Sequence, residues 1–377
     1  MTEAPIDAPD LEPEDADAGE MPRTRFTRRE ATVLGVFVVA AVTFLYFGLP
    51  QIAGLHDTWV RIRDGDPKWL FACLVFELIS FGGYVWLFRT VFLRGSNRID
   101  WRAAYEITMA GLAATRLFAA AGAGGAALTV WALRQSGMRA RLVATRMVAQ
   151  YVILYGVYMG SMVLLGVGLY TGVLHGGRAF AITMIPAILG GSVIAISLAF
   201  TLVPTQIDAR IDRWAQGSGR TAHLIAKLSK APAAVSAGVR EAITIVRERN
   251  GGAFGAIIWW YADIAVLWAS FRAFGIAPPF SVLIMAYFVG MTANLLPLPG
   301  GIGGVDGGMI GALIAFGVSD SLAIVSVLTY RAFSFWLPTI PGALAYFQLR
   351  KTVQRWKDER AGEQAAIQSE VMPVSAR

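Results

Sequence analysis

The chain has 377 residues, of which 55% are apolar and only 16% charged, and its formal net charge is +7. Soluble globular proteins usually carry about 25% charged residues. Six apolar runs approach or exceed the ~20 residues that an α-helix needs to cross a bilayer. These features exclude an ordinary soluble enzyme. The sequence lacks the alternating strands of ~10 residues that build membrane barrels, so it predicts an all-α polytopic membrane protein.

The N-terminal segment differs in composition from the rest of the chain. Eight acidic residues fall within 1–20, and such a segment cannot bury enough apolar surface to order itself. We therefore expect 1–30 to be a disordered cytoplasmic tail. The apolar run 31–49 follows four arginines, so a cleaved signal peptide is the alternative. The run is longer than a typical signal segment, and we interpret it as the first span.

The apolar runs define about six full transmembrane helices. They cover 31–49, 69–93, 147–171, 179–203, 253–274 and 321–347. Two further apolar stretches, 103–133 and 280–317, are broken by glycine and proline, which disfavour helix. Non-helical backbone at membrane depth persists only where protein or a wet cavity surrounds it. Both breaks are therefore predicted to lie in protected sites.

Charge predicts the orientation of these segments. Of the 33 Lys and Arg residues, 25 fall in the N-terminal arm, 94–102, 134–146, 204–250 and the segment after 347. The positive-inside rule assigns these regions to the cytoplasm. Both ends of 103–133 are then cytoplasmic and both ends of 280–317 external, so each stretch is predicted to be a re-entrant hairpin. Their opposite orientations indicate an inverted repeat, a design in which broken helices form a substrate site near the midplane.

The predicted organisation has five parts. A tail (1–30) precedes an N-terminal membrane half (31–203), a cytoplasmic linker (204–252), a C-terminal membrane half (253–347) and a cytoplasmic tail (348–377). The linker carries two amphipathic stripes flanked by arginines, which is typical of interfacial helices. A plain connector whose charges only set the topology is the alternative.

Charged residues at membrane depth are the first candidates for function, because each costs about 2.5–3.5 kcal/mol on insertion scales. They are Glu77, Arg116, Asp263, Arg272, Asp306 and Arg331. One interpretation is a polar cavity in which cations bind a phosphate, while Glu77, Asp263 and Asp306 balance charge or take up protons. The alternative is a set of structural ion pairs. Arg272 is the weakest candidate, since it lies near a helix end and can extend to the interface.

The tip of the second hairpin is the most specific motif. It runs from Asn294 to Asp306 and exposes backbone at four glycines, Gly300, Gly301, Gly303 and Gly304. Successive N–H groups at a helix N-terminus form an anion cradle. Close helix packing through small residues is the alternative. No Gly-Lys-Ser/Thr follows, so the motif does not indicate ATP binding.

Two arginines are candidate phosphate ligands. Arg331 follows Tyr330 inside the last span, and its guanidinium can bind a phosphate with two donors. Arg116 precedes the break of the first hairpin and is its candidate counterpart. The alternative for each is an ion pair with a nearby carboxylate. The substrate-binding set is therefore Arg331, Tyr330, Arg116, Asn294 and the four glycines.

The sequence offers no catalytic or metal-binding set. Cys73 is the single cysteine, and His56, His175 and His223 lack ligand spacing. We found no clustered Ser, His and Asp that could form a nucleophilic triad. The sequence thus favours a protein that is not an enzyme and has no cofactor or metal.

The motif Pro297-x-Pro-Gly-Gly-Ile-Gly-Gly-Val-Asp306, with Gly317, Tyr330-Arg331 and a Pro-rich closing span, resembles one family. This is the flippase-like family typified by the transmembrane region of bifunctional lysylphosphatidylglycerol synthases. The resemblance covers roughly 30–350, implies lipid movement between leaflets and does not imply synthase activity. Asp306 stands where the family usually has Glu, and the first hairpin lacks a proline often found there.

The sequence therefore favours translocation of an anionic or aminoacylated lipid across a bacterial-type cytoplasmic membrane, with both termini inside. The expected partners are membrane lipids and a lipid-synthesising enzyme, and nucleic acid is not expected. An ion-coupled small-solute transporter and a non-transporting scaffold for a lipid-modifying enzyme are alternatives. A lipid transferase is disfavoured, because no nucleophile is present.

Overall fold

The computed structural model describes residues 65–93, 99–117, 123–202, 220–248, 251–295 and 303–371, and within these ranges it contains helices and no strands. The α-helices are α1 (Pro67–Phe92), α2 (Trp101–Leu117), α3 (Ala123–Gln135), α4 (Ala140–Thr171), α5 (Phe180–Ala199), α6 (Arg220–Arg247), α7 (Gly255–Phe274), α8 (Phe280–Met291), α9 (Gly304–Ala315), α10 (Asp320–Arg331) and α11 (Leu337–Val371). Short 3-10 turns cover Phe200–Leu202, Gly251–Phe254 and Thr292–Leu295, and a π-helical segment, Ala332–Trp336, joins α10 to α11.

Five helical segments of the described residues are long and apolar enough to cross a membrane. They are Pro67–Phe92, Ala140–Thr171, Phe180–Ala199, Gly251–Phe274 and Asp320–Glu363. These segments coincide with five of the six predicted spans, which confirms an all-α membrane protein. The first predicted span and the N-terminal tail lie outside the described residues. The last helix runs beyond the predicted boundary at 347 and ends at Val371.

The helices α1 and α7 form an antiparallel pair in the middle of the molecule. The backbone N–H of Asp66, before α1, donates to the carbonyl of Ala273 near the end of α7 at 3.0 Å. At the other end Gly83 faces Gly255, where a Cβ built on Gly83 would lie 2.8 Å from the Gly255 carbonyl oxygen. Only glycine permits such a close approach of two helix backbones.

Two pairs of short helices occupy the positions of the predicted hairpins. The pair α2 and α3 meets where Gly111 faces Gly125, and the pair α8 and α9 meets where Gly290 faces Gly308. A Cβ built on Gly308 would lie 3.1 Å from the Gly290 Cα, so the glycines let each pair close tightly. Entry and exit by the same membrane face stays a prediction for both pairs.

The turns after the two hairpins are built in the same way. Gly137 and Gly317 have positive φ values of 95° and 87°. The next residue in each turn, Met138 or Val318, donates its N–H five residues back, at 3.3 and 3.0 Å. This is the glycine C-cap, whose left-handed backbone conformation residues other than glycine rarely adopt. The first residues of α4 and α10 are therefore equivalent positions of the two halves.

The two halves also exchange their packing partners. The first helix of each hairpin packs on a long helix that follows the other hairpin in the chain. The helix α2 packs on α11, and α8 packs on α4. The inverted repeat itself stays a prediction. The helix α6 packs along α4 through a buried stripe that includes Val239, Ala242 and Ile245.

Candidate functional site

The first element of the site is a pair of carboxyl groups, Glu77 on α1 and Asp263 on α7. The register of the two helices sets this pairing, because Cys73 contacts Ser270 on one side and Ser80 contacts Trp259 on the other. Glu77 and Asp263 are only 3% and 7% exposed, and their carboxyl groups are direct neighbours. Two carboxylates thus meet where helix packing would ordinarily bury apolar side chains.

Two tyrosines hold one oxygen of Asp263. The hydroxyl of Tyr287 on α8 donates to Asp263 Oδ2, and the hydroxyl of Tyr330 on α10 donates to the same oxygen at 2.9 Å. Both rings are fully buried. Among the described residues, Asp263 Oδ1 and Glu77 Oε2 are buried without a hydrogen-bond partner. One oxygen of each carboxyl group thus lacks a hydrogen bond within the described part of the chain, and a missing hydrogen bond on a buried polar group lowers the stability of the fold.

The π-helical segment Ala332–Trp336 presents its carbonyls to Arg116. In this segment the Leu337 N–H bonds back five residues to Ala332, so the regular α-helical ladder is interrupted. Arg116 donates to the carbonyls of Ser334 at 2.9 Å and Phe335 at 3.2 Å. Single π-helical turns inside helices are frequent at functional sites. The irregular turn thus fixes a cation from the first half on a helix of the second half.

The start of α9 holds the second cation of the site. Arg331 Nε lies 2.6 Å from Asp306 Oδ1, and the pair is buried. The N–H is not aligned with that oxygen, so the contact is an ion pair and not a directed hydrogen bond. The other oxygen of Asp306 accepts the Gly303 N–H at 2.8 Å and so caps α9. A short Asp at this position can cap the helix and face the cation at once.

Both guanidinium groups lie on one aromatic ring. Arg331 Cζ is 4.4 Å and Arg116 Cζ is 5.5 Å from the centroid of the Phe335 ring. Arg116 also lies within electrostatic range of Glu77, Asp263 and Arg331. Three carboxyl groups and two guanidinium groups therefore form one cluster, contributed by α1, α2, α7, α9 and α10. We call it the polar cluster (Glu77, Arg116, Asp263, Asp306, Tyr330 and Arg331).

Comparison with known proteins identifies the family. Residues 32–342 match the model of the lysylphosphatidylglycerol synthase TM region. The chain belongs to this family. The match covers both hairpins and the whole polar cluster, so the resemblance predicted from the second hairpin is confirmed.

Relatives named UPF0104 membrane protein occur in an archaeon, Methanothermobacter thermautotrophicus. One is 33% identical over 109 residues, which is 29% of this chain and 31% of the relative. Another is 33% identical over 90 residues, 27% of that relative, so these two alignments span less than a third of the relatives' length. A third is 24% identical over 340 residues, 84% of this chain and 94% of the relative.

In this family member the structure assembles most, but not all, of the predicted site residues. The six members of the polar cluster lie together, and their role in a common cavity stays a prediction. Asn294 lies apart, because it sits exposed in the turn Thr292–Leu295, where its amide contacts Met291 Sδ at 3.3 Å. Gly303 and Gly304 begin α9, whereas Gly300 and Gly301 lie outside the described residues. Arg272 stacks on Trp69 at 5.1 Å.

Sequence reasoning missed two contributors to the site, Tyr287 and Phe335. Tyr287 was detectable in principle, since a buried hydroxyl in the apolar run of α8 needs a hydrogen-bond partner. Phe335 carried no comparable signal, because its role depends on the π-helical turn. Arg116 also uses carbonyl acceptors, where an ion pair was the predicted alternative.

A second polar site lies inside the first hairpin. A small cavity of about 40 Å³ is lined mainly by hydroxyl and amide side chains and by the facing glycines Gly111 and Gly125. Its polar side chains are Tyr84, Thr108, Thr115, Thr129, Gln150 and Tyr151. Gln150 Oε1 is buried and has no hydrogen-bond partner among the described residues. A cavity of this size admits water, and water needs polar partners of this kind.

An apolar groove of about 680 Å³ lies between α4, α6 and the start of α7. Its exposed rim includes Val246, Phe254 and Ile257, and Arg247 is its one charged lining residue among the described residues. Gly156 forms part of the floor, and within the described residues nothing lies within 4 Å of a Cβ built there. The groove is therefore a lateral apolar surface with a cation at its edge.

Proposed function

We propose that this protein moves a phospholipid with an anionic or aminoacylated head group across the cytoplasmic membrane, through a polar cavity between its two hairpins. The convergence of Arg116 and Arg331 on the Phe335 ring carries the proposal. Guanidinium groups bind phosphate oxygens through paired N–H donors. Cations inside a membrane protein are expensive and mark substrate paths. The family name refers to the synthase of an aminoacylated phospholipid, which supports this head-group class.

Each member of the polar cluster has a part in this proposal. Arg331 and Arg116 bind the phosphate, and Asp306 releases Arg331 as the lipid arrives. Tyr330 keeps Asp263 in place, and the glycines before α9 offer backbone N–H groups to the head group. The two hairpins then open in turn toward opposite leaflets, as broken helices do in inverted-repeat transporters.

The apolar groove favours a lipid over a small solute as the substrate. A lipid needs a lateral surface for its acyl chains while its head group enters a polar site. The groove offers such a surface, and its lining residue Ile257 stands three residues before the buried Trp260 on α7, whose indole N–H donates to the Leu154 carbonyl at 2.7 Å. Trp260 in turn contacts Tyr287 of the site, with ring centroids 6.2 Å apart. Arg247 at the edge of the groove suits the anionic head group of an entering lipid.

We further propose transport without catalysis, because no nucleophile or metal set accompanies the cluster within the described residues. The basic segments of the sequence support cytoplasmic termini. An enzyme that synthesises the transported lipid is the expected partner, and such an enzyme supplies substrate on the cytoplasmic side.

The decisive experiment is reconstitution of the full chain into vesicles that contain fluorescently labelled phosphatidylglycerol. We expect the wild-type protein to move the label between leaflets and Arg331→Ala to move it at least tenfold more slowly. A hydrogen bond to a charged group contributes about 1.5–3 kcal/mol, which corresponds to a factor of ten or more. Loss of the label from the outer leaflet, measured by chemical quenching, gives the rate.

Arg272→Ala is the matched control for this experiment. It also removes an arginine from a membrane helix, but its guanidinium lies over Trp69 and not in the polar cluster. We expect this variant to transport at a rate within twofold of the wild type. Equal rates for wild type, Arg331→Ala and empty vesicles would contradict lipid transport. Uptake of a labelled anionic solute without lipid movement would instead favour the small-solute transporter.

A further inference from the structure

The Glu77–Asp263 pair is the one buried carboxyl pair of the described residues. Both side chains are almost fully buried, and one oxygen of each has no hydrogen-bond partner within the described part of the chain. Two adjacent carboxylates in an apolar interior do not both ionise, because each destabilises the charge of the other. The pair therefore holds at least one proton, and the two unpartnered oxygens are the place for it.

The surroundings of the pair supply too few cations for all the carboxylates. The ionisable groups that face it are Cys73 of α1, Arg116 of α2, Tyr287 of α8, Tyr330 and Arg331 of α10, and behind Arg331 the Asp306 carboxylate of α9. Two guanidinium groups thus stand against three carboxyl groups. With one proton on the pair, the polar cluster is neutral as a whole.

An anionic head group changes this balance. A phosphate bound between Arg116 and Arg331 adds one negative charge inside the protein, where an uncompensated charge costs several kcal/mol. A second proton on the Glu77–Asp263 pair restores neutrality without moving any other charged group. Among the described residues, Asp306 is the other carboxylate of the polar cluster, and it already pairs with Arg331 and caps α9, so the proton goes to the Glu77–Asp263 pair.

We propose that the Glu77–Asp263 pair takes up one proton each time an anionic head group binds between Arg116 and Arg331, so that lipid and proton cross together. This inference rests on the proposed function and names its energy source. The proton comes from water on the side that is open, adds to a carboxylate oxygen of the pair, and leaves to water on the other side after the phosphate leaves. By linkage, protonation of the pair raises the affinity for the head group by the same factor by which head-group binding raises the affinity of the pair for the proton. A lower pH therefore strengthens head-group binding.

The experiment uses vesicles with labelled phosphatidylglycerol and a trapped pH-sensitive dye. An imposed gradient, acidic on the side where the label starts, should accelerate wild-type transport by up to tenfold per pH unit. The dye should report about one proton moved for each lipid. Because wild type is tested against itself, this measurement does not depend on the folding of any variant.

Variants assign the effect to the pair. The double variant Glu77→Gln with Asp263→Asn leaves the pair no carboxyl group to protonate, and we expect its transport to change less than twofold across the same gradient. Glu106→Gln is the matched control, since Glu106 is also fully buried but pairs with Arg102 at 2.8 Å and Thr352 at 2.6 Å. This control should keep the pH dependence of the wild type. The proton count of the wild type, which needs no variant, tests the coupling if the double variant does not fold.

The outcomes separate the two proposals. Lipid movement without proton movement overturns the coupling and leaves lipid transport standing. An unchanged pH dependence in the double variant overturns the role of the pair. If wild type moves no lipid at any pH, the proposed function falls and the coupling falls with it.

Discussion

The two hairpins have matching backbones, but the equivalent positions on the helices that follow them carry different side chains. Each hairpin closes on a pair of glycines, ends in a positive-φ glycine and leads into a long helix with the same cap geometry. Counting from those caps, Tyr151 of α4 corresponds to Arg331 of α10, and Gln150 to Tyr330. The first half thus carries a neutral hydroxyl and amide pocket where the second half carries an ion pair. A repeated backbone does not dictate a repeated site.

The comparison also shows that symmetry does not explain the meeting of the two arginines. Arg331 follows its hairpin, whereas Arg116 precedes the break of its own. They converge because Arg116 donates from the other half to the carbonyls of Ser334 and Phe335, which lie in the π-helical turn just after Arg331. The cation site is therefore formed at the interface between the halves. Of the two hairpins, only the second contributes a carboxylate to it, that of Asp306.

The largest expected effect comes from the ion pair between Asp306 of the second hairpin and Arg331. Asp306→Ala removes the carboxylate that faces Arg331 and the acceptor of the Gly303 N–H. Removal of one partner of a buried ion pair costs about 3–5 kcal/mol. We expect a lower thermal unfolding midpoint in detergent and at least a hundredfold loss of lipid transport.

Asp306→Glu sharpens this prediction, because it keeps the charge and lengthens the side chain by one methylene. We expect it to recover most of the transport, since a Glu at this helix position can also reach back to the preceding N–H. Thr129→Val changes a residue that lines the neutral pocket of the first hairpin. It is the matched control and should change transport less than threefold. A loss as large for Thr129→Val as for Asp306→Ala would contradict the contrast between the hairpins.

The members of the polar cluster could be predicted because charged residues are rare within apolar membrane helices, so each of them stands out in the sequence. Glu77, Arg116, Asp263, Asp306 and Arg331 all follow from that argument, and they lie together in the structure. Of their pairing, only the contact of Arg331 with Asp306 matches the predicted ion-pair alternative. The sequence suggested acid with base, whereas the structure sets Glu77 against Asp263 and Arg116 against carbonyls, because helix register and the π-helical turn are tertiary properties.

The membrane helices were predictable for a simpler reason. Runs of ~20 apolar residues have few alternatives to a span, and each described span agrees with its run within several residues at most boundaries. The exceptions lie where polar residues continue a helix outside the bilayer, as in α11, which extends to Val371. Hydropathy alone ends a span there, although the helix itself does not end.

The equivalent turns provide an intermediate effect. Gly137→Ala and Gly317→Ala each force a Cβ into the left-handed region, which costs about 1–2 kcal/mol. We expect similar decreases in the thermal unfolding midpoint for the two variants, because the turns share their hydrogen bonds. Gly160→Ala is the control, since α-helical backbone accepts alanine and, among the described residues, no atom lies within 4 Å of its Cβ. Clearly unequal losses at the two turns would argue against equivalent hairpins.

The smallest effect is expected in the neutral pocket of the first hairpin. Gln150→Leu replaces a buried amide whose Oε1 has no partner among the described residues by an apolar side chain of similar size. Replacement of an unsatisfied polar group by an apolar one is nearly neutral or stabilising. We therefore expect an unfolding midpoint at or slightly above that of the wild type, and transport within threefold. A large loss of transport with unchanged stability would show that the hydroxyl and amide pocket of the first hairpin also contacts the head group, and the contrast between this pocket and the Asp306–Arg331 ion pair would then have to be abandoned.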